Sequence, residues 1–240
     1  MTKKNKILWI FIAIIWVLCL IGCLLTSAVK FIVAAIISTI LCVIEVVGSK
    51  KKEPKKGSVV ATIIVILLVM AFQFSMPPLM MRSNMVWQYP FQKAFVAIYQ
   101  NIKEPDWYPD FTDQVEDEYQ FDYLPSVMQG TGYYSVRFVT DSQCAKAYAA
   151  QYEEQAIYKI PLREYSDGYQ IQNVGSSEQD DTNGSTFMVS MDEEFWAGYW
   201  NSESTAMIYV LESNFDWNHS RSSVVIIDTV NGKIQFVQEG

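Results

Sequence analysis

Three long apolar runs without a polar face occupy most of the first 76 residues. They cover residues 7–25, 31–48 and 59–76. Each run is near the length, roughly 17 to 25 residues, that a helix needs to cross the hydrocarbon core of a bilayer. A helix in the core of a soluble protein would usually turn a polar side to water. We therefore predict three transmembrane helices and assign residues 1–78 to a transmembrane region.

The lysines that flank these runs predict their orientation. Three lysines precede the first run and five lie within residues 50–56, whereas the turn 26–30 contains only Lys30. Lysines in short loops stay on the cytoplasmic side of a membrane. We predict a cytoplasmic N-terminus and place the chain after residue 78 outside a plasma membrane that we expect to be bacterial. Glu45 is the one acidic residue within a run, and we interpret it as lying at the cytoplasmic interface.

Two features are predicted to lie near the outer membrane surface, and the first of them leaves an alternative open. The segment 20–23 ends in Cys23 and is similar to the cleavage site of bacterial lipoproteins, although the apolar run continues beyond it. Lipidation of Cys23 is therefore the minority reading, and it would leave the predicted topology unchanged. After Pro77-Pro78, aromatic residues follow as in the belt that contacts outer headgroups. They are Trp87, Tyr89 and Phe91.

Residues 79–118 are predicted to form a juxtamembrane helix and an acidic linker. Apolar residues recur at helical spacing within residues 90–102, which predicts an amphipathic helix. Its expected buried stripe is Phe91, Ala94, Phe95, Ile98, Tyr99 and Ile102. We favour packing of this stripe against protein, because Lys93 is the only basic residue available for a membrane-surface helix. We expect Trp107, Tyr108 and Phe111 to pin the linker to the core.

Residues 119–240 alternate between strand and helix patterns. Strands are predicted at 119–127, 133–139, 169–174, 186–189, 207–211, 223–228 and 233–238, and helices at 140–158 and 190–200. In the first hairpin, Tyr134, Val136 and Phe138 are expected to point inward and Ser135 and Arg137 outward. Asn231-Gly232 is a strong signal for the last hairpin. The predicted fold is an α+β extracytoplasmic domain with a largely antiparallel sheet and helices on one face.

Charge divides the chain in the same place as hydropathy. Residues 1–81 hold nine lysines and two glutamates, a net charge of +7, whereas residues 82–240 carry a net charge of −15. Binding to phosphate backbones needs a basic surface, so nucleic acid is excluded as a partner of the second part. The asymmetry favours contact of the first part with a lipid bilayer.

The most function-like stretch is a polar and aromatic loop between two predicted strands. We take its ligand-binding candidates to be Asn214, Asp216, Trp217, His219 and Arg221. Ser220 and His219 would suit a hydrolase, but a catalytic triad is usually assembled from distant parts of a chain. One histidine and one extracytoplasmic cysteine, Cys144, do not make a zinc site of the usual ligands, and we predict no metal or cofactor.

These observations favour one function and leave two alternatives. We expect a membrane-anchored, non-enzymatic binding domain whose partner is a membrane protein or a component of the cell envelope. The first alternative is an accessory subunit of a membrane transport or secretion complex. The second is an envelope hydrolase that uses the loop around His219.

Overall fold

The chain forms two compact units, which we describe separately. The structure is a computed structural model that describes residues 3–51, 56–99, 104–126, 132–164, 170–172, 186–188, 199–200, 205–214 and 221–240. The first unit comprises Met1–Met81 and Pro90–Gln100, and the second comprises Arg82–Tyr89 and Asn101–Gly240.

Three apolar helices make up most of the first unit. They are α1 (Lys3–Thr26), α2 (Lys30–Lys51) and α3 (Lys56–Ser75). Within them, Lys6–Thr26 and Lys30–Gly48 are long and apolar enough to cross a membrane, while the apolar part of α3, Val59–Ser75, is shorter. Of the three predicted membrane spans, two are confirmed as long apolar helices, and the apolar part of the third is shorter.

The few polar side chains of these helices point at neighbouring helices. Trp16 Nε1 donates to Thr39 Oγ1 at 2.8 Å between α1 and α2, and Thr62 Oγ1 donates to Glu45 Oε2 at 3.3 Å between α3 and α2. Such interhelical hydrogen bonds stabilise packing where water is absent. Gly22 serves the same contact, because a Cβ atom there would lie 2.7 Å from the Phe31 ring.

The juxtamembrane helix α4 (Tyr89–Ala97) ends earlier than predicted, and its predicted buried stripe is confirmed only in part. Phe95 packs against Phe31 as expected. Gln92 and Val96 are fully buried, whereas Phe91, Ala94 and Ile98 are exposed. Gln92 is buried because its amide reaches the end of α1, where Nε2 donates to Thr26 O at 3.5 Å. Periodicity identified the helix, but it could not show which side meets the rest of the unit.

A seven-stranded sheet is the centre of the second unit. The strands are β1 (Met81–Ser83), β2 (Asp117–Leu124), β3 (Tyr133–Val139), β4 (Tyr158–Pro161), β7 (Met207–Asn214), β8 (Arg221–Asp228) and β9 (Lys233–Glu239), and a separate ribbon contains β5 (Gln170–Gln172) and β6 (Thr186–Met188). The order in the sheet is β1-β2-β3-β9-β8-β7-β4. The neighbouring strands from β2 to β4 in that order pair antiparallel, as predicted.

The main helix of this unit, α5 (Ser142–Gln155), starts and ends within the predicted range. Asp141, rather than Thr140, is the N-cap, since its carboxylate accepts hydrogen bonds from the backbone N–H groups of Gln143 and Cys144. The predicted last turn is instead the start of β4. Because β4 is an edge strand, Pro161 fits at its end without breaking an inner ladder.

The two faces of the sheet differ in character. We name one the aromatic face, where Phe138 and Phe236 pack with Phe111 beneath α5. Tyr108 and Phe111 are buried as predicted, and the Trp107 ring lies 6.1 Å from that of Phe236. The opposite face, here the mixed face, is apolar along one half of the sheet and polar along the other. The apolar half contains Ile160, Ile208, Val210, Val224 and Ile226, with Trp200 and Tyr199 packed on it.

Predictions for residues 175–185 and for the helix at 190–200 lie outside the described residues, except for Tyr199 and Trp200. Both of these side chains are buried. They therefore belong to the core, as expected for closely spaced aromatics.

Candidate functional site

The predicted binding loop connects two paired strands. β7 ends at Asn214, β8 begins at Arg221, and these two residues pair with each other in antiparallel register. The loop is therefore the connection of a β-hairpin, a position where side chains are not required for a core and often bind ligands. Asp216, Trp217 and His219 lie outside the described residues, as do the side chains of Asn214 and Arg221.

Two groups of polar side chains from β7, β8 and β9 lie at the end of the sheet from which this loop emerges, one group on each face. On one face the Ser223 hydroxyl lies 3.4 Å from Glu212 Oε2 and also contacts Oε1 of Gln238. On the other face the Ser222 hydroxyl donates to Glu239 Oε2 at 3.4 Å. We call these five residues the loop-end cluster. The two carboxylates lie on opposite faces of the sheet, so each face offers one carboxylate, a group that accepts hydrogen bonds and carries negative charge.

The connection between β2 and β3 leaves the sheet at the same end. Tyr133 pairs with Glu239, and the N–H groups of Gly132 and Gly240 each donate to the other's carbonyl at 3.1 Å. A Cβ atom at Gly132 would lie 2.3 Å from the backbone nitrogen of Ser126, so only glycine fits there. The sheet thus brings two connections and the last residue of this sequence to one end.

A second polar group, on the mixed face, was not predicted. Arg82 Nε donates to Asp122 Oδ1 at 2.5 Å, and Gln120 Nε2 donates to Asp122 Oδ2 at 2.5 Å. Arg137 Nη2 donates to Gln120 Oε1 at 2.6 Å, and its guanidinium lies 4.7 Å from the centre of the Tyr199 ring. These contacts form one chain of polar side chains across β1, β2 and β3.

The charges in this row of polar side chains favour a structural role over a role in proton transfer. The hydrogen bond that Arg82 donates to Asp122 raises the pKa of Arg82, and burial lowers the pKa of Arg137 from its usual high value. An arginine remains charged in proteins. The group therefore holds fixed charges and offers no arginine that exchanges a proton near neutral pH.

The alternation predicted for β3 is confirmed, but the outward face that Ser135 and Arg137 share is covered by other side chains. Both side chains are on the face opposite Val136, but Ser135 is buried and accepts a hydrogen bond from Gln235 Nε2 at 3.1 Å. Trp200 Nε1 donates to Gln235 Oε1 at 2.7 Å, so a buried indole covers this row. Alternating polar positions in β2 and β3 could have indicated this polar row, but the sequence did not show that the mixed face is covered by other side chains.

A tyrosine group lies at the aromatic face. Tyr89 donates to Glu104 Oε2, and the Tyr134 hydroxyl lies 3.2 Å from the Tyr89 hydroxyl and 3.4 Å from the same carboxylate oxygen. Burial, then the neighbouring charges of Tyr134 and Glu104, raises the pKa of Tyr89 far above its ordinary value. These hydroxyls stay protonated at physiological pH, so they act as hydrogen-bond donors and not as general bases.

Metal binding and thiol chemistry find little support in the part of the chain that the structure describes. No three of its His, Cys, Asp and Glu side chains are close enough together to hold a metal ion. Cys144 is half-buried, and its thiol donates to Gln114 Oε1 at 3.2 Å.

Comparison with known proteins gives no relatives for this chain. No protein-family model, no curated protein and no solved structure matches it.

Proposed function

We propose that this chain is an integral membrane protein whose second unit lies on the extracytoplasmic side and acts as a non-enzymatic binding domain. Its partner would be a membrane protein or a component of the cell envelope. The ligand would contact the hairpin connection between Asn214 and Arg221 together with the loop-end cluster.

The exposed apolar surface of the long helices is the observation that carries the membrane part of the proposal. Only 22% of the α1 window and 28% of the α2 window is buried. Leu18 is 61% exposed and Leu68 is 64% exposed. Soluble proteins rarely expose apolar surfaces of this extent, whereas lipid tails solvate them. The excess of lysine at residues 3–6 and 50–56 supports the proposed orientation.

The binding part of the proposal rests on the loop-end cluster. It places two carboxylates and two buried serines at the end of a rigid sheet, next to a connection rich in polar and aromatic residues. Loops fixed by a rigid scaffold commonly carry binding residues. The acidic character of the unit, with a net charge of −15 over residues 82–240, favours a partner with basic groups.

A labelling experiment tests the orientation. In a background in which Cys19, Cys23, Cys42 and Cys144 are replaced by Ser, Val230→Cys introduces the only thiol, at a position that is 69% exposed. A membrane-impermeant maleimide should label it in intact cells, whereas Thr2→Cys should be labelled only after permeabilisation. Labelling of Val230→Cys that requires permeabilisation would overturn the proposed topology.

Photo-crosslinking from the loop tests the binding site. A photoreactive amino acid at position 217 or 219 should give one adduct of constant mass in intact cells. The same amino acid at position 230, at the other end of β8, is the matched control and should give none. Equal adducts from all three positions, or none from 217 and 219, would contradict the proposal.

The hydrolase alternative is separated by one pair of variants. Under the binding proposal, Ser220→Ala should leave the crosslinking partner bound and His219→Ala should weaken its binding. Neither variant should abolish a hydrolytic activity of the purified full chain toward cell-envelope preparations. A folded variant that loses such an activity would replace the binding proposal with the hydrolase.

A further inference from the structure

Large exposed apolar side chains are concentrated just after the third helix. Among the described residues outside α1, α2 and α3, ten such side chains are exposed, and seven of them lie between residues 76 and 98. In the first unit they are Met76, Leu79, Met80, Phe91 and Ile98. Leu79 is 81% exposed and Ile98 71% exposed. A set of this kind in one short segment indicates a surface that is covered by something apolar.

The packing of α4 leaves this surface facing away from the helices. Gln92 and Val96 form its buried side, and the Phe95 ring lies 5.3 Å from the ring of Phe31. Phe91 lies on a side of α4 next to the buried side, and Ile98 lies in the turn that directly follows the helix. The helix thus uses one side for protein contact and keeps a neighbouring apolar side open.

Contacts with three helix ends fix the level of α4 relative to the predicted spans. Gln92 contacts Thr26 at the end of α1, and Tyr99 contacts Lys30 at the start of α2. Lys30 Nζ also donates to Met76 O at 2.8 Å, just after the end of α3. All three helix ends lie away from the lysines at residues 3–6 and 50–56. The helix therefore lies at the level where the spans leave the hydrocarbon core.

We propose that α4 and the segment before it lie in the outer headgroup layer, with Leu79, Met80, Phe91 and Ile98 inserted among the lipid chains. The occupant of the apolar surface is the bilayer, because the surface is continuous with helices whose own exposed side chains face lipid. This inference rests on the proposed membrane insertion. It assigns to α4 a role as an interfacial helix in addition to its packing against α1 and α2.

Depth-dependent quenching tests the inference in the full chain. Each native cysteine is replaced by Ala, and a single cysteine carrying an NBD fluorophore is placed at position 98 or 91. The protein is reconstituted in phosphatidylcholine–phosphatidylglycerol vesicles that contain a nitroxide at the headgroup or at the middle of the acyl chain. Labels at 98 and 91 should show a blue-shifted emission and stronger quenching by the headgroup nitroxide than by the mid-chain nitroxide.

Three control labels show whether a negative result concerns the interfacial helix alone or the membrane insertion on which this inference rests. A label in place of Ile64, midway along α3, should be quenched most by the mid-chain nitroxide, and a label at Val230 should be quenched by neither. A label at Lys93, on the far side of α4, should be quenched less than one at 98.

Water-like emission at 98 and 91 with a quenched label at 64 would overturn the interfacial helix alone. A protected label at 98 that no nitroxide quenches would assign the surface to another protein and would also overturn it. A water-exposed label at 64 would overturn membrane insertion itself.

Discussion

Gly232 occupies a backbone position that other residues rarely adopt. Its φ is +67°, and a Cβ atom there would lie 2.0 Å from the carbonyl oxygen of Thr140. That carbonyl cannot move easily, because the Thr140 N–H donates to Gly232 O at 2.9 Å. Gly232→Ala should therefore lower the free energy of unfolding by about 2 to 4 kcal/mol. Thermal unfolding followed by near-UV circular dichroism of the aromatic core measures the change.

Val230→Ala is the matched control for this turn. Val230 is exposed and lies two residues away, so its truncation should change stability by no more than about 0.5 kcal/mol. If Gly232→Ala unfolded at the same temperature as this control, the close approach to Thr140 would not be a constraint.

Asp228 links the same turn to acid stability. Burial disfavours the charged carboxylate, but hydrogen bonds from the side chain and backbone of Asn231, the backbone of Val230 and the hydroxyl of Thr205 outweigh it, so the pKa of Asp228 is lowered. A carboxylate with a lowered pKa in the folded state stabilises the protein above its ordinary pKa. That contribution is lost as the pH falls from the ordinary value, about 3.9, through the lower folded value.

Asp228→Asn tests this dependence. The variant should be less stable than the parent at pH 7, and the difference in melting temperature should shrink below about pH 4. Glu153→Gln removes an exposed carboxylate paired with Lys159 and provides the control. Melting curves for Asp228→Asn that run parallel to those of the parent down to pH 3 would rule out the proposed role of the carboxylate.

At the scale of elements, Lys30 is the main attachment of α4. Its ammonium lies 4.2 Å from the Tyr99 ring centre and 4.8 Å from that of Phe95, in addition to its hydrogen bonds to Met76 O and the Tyr99 hydroxyl. Lys30→Met keeps the length of the side chain but removes the charge. Without this charge, the free energy that holds α4 in place should fall by about 1 to 2 kcal/mol. Amide hydrogen exchange in α4 should therefore become roughly five- to thirtyfold faster. Mass spectrometry of peptides covering residues 89–99 measures this rate.

Two internal comparisons make the result specific. Lys93→Met removes an exposed lysine of α4 itself and should speed exchange in the helix less than Lys30→Met does. Peptides from β8 and β9 should exchange at the parental rate in both variants. Equal effects of Lys30→Met and Lys93→Met on α4 would mean that the aromatic contacts of Lys30 do not hold the helix.

The elements that the sequence predicted best are those with a strong local signal. The hairpin of β8 and β9 follows from Asn231-Gly232, and β3 follows from strict alternation of its side chains. The buried face of α4 was predicted only in part, because periodicity assigns the most apolar stripe to protein, whereas Gln92 and Val96 form the fully buried side of this helix. The polar chain from Arg82 to Arg137 was missed because strand register and coverage of the mixed face are tertiary properties. Of the candidate site, only the hairpin context and the loop-end cluster are described.

At the scale of the whole molecule, charge and hydropathy divide the chain at the same place. A basic, apolar first part and a second part with a net charge of −15 have opposite preferences at a membrane surface. The lysines of residues 50–56 are expected to remain in the cytoplasm, while the acidic part can be translocated at little cost because acidic residues contribute weakly to orientation. Under the proposed topology, the same five lysines thus determine on which side of the membrane every later residue lies.

Replacing these five lysines tests how far the orientation of the chain depends on them. Changing Lys50, Lys51, Lys52, Lys55 and Lys56 to Gln leaves only the three N-terminal lysines to retain the first part. The fraction of chains whose Val230→Cys thiol is labelled from outside should therefore fall, though not to zero. Changing the same five residues to Arg keeps the charge and should keep the parental fraction, because the positive-inside preference depends on charge and not on lysine itself. If the Gln and Arg variants are labelled equally, the lysines do not set the orientation, and the insertion of α1 alone would have to determine where the second unit lies.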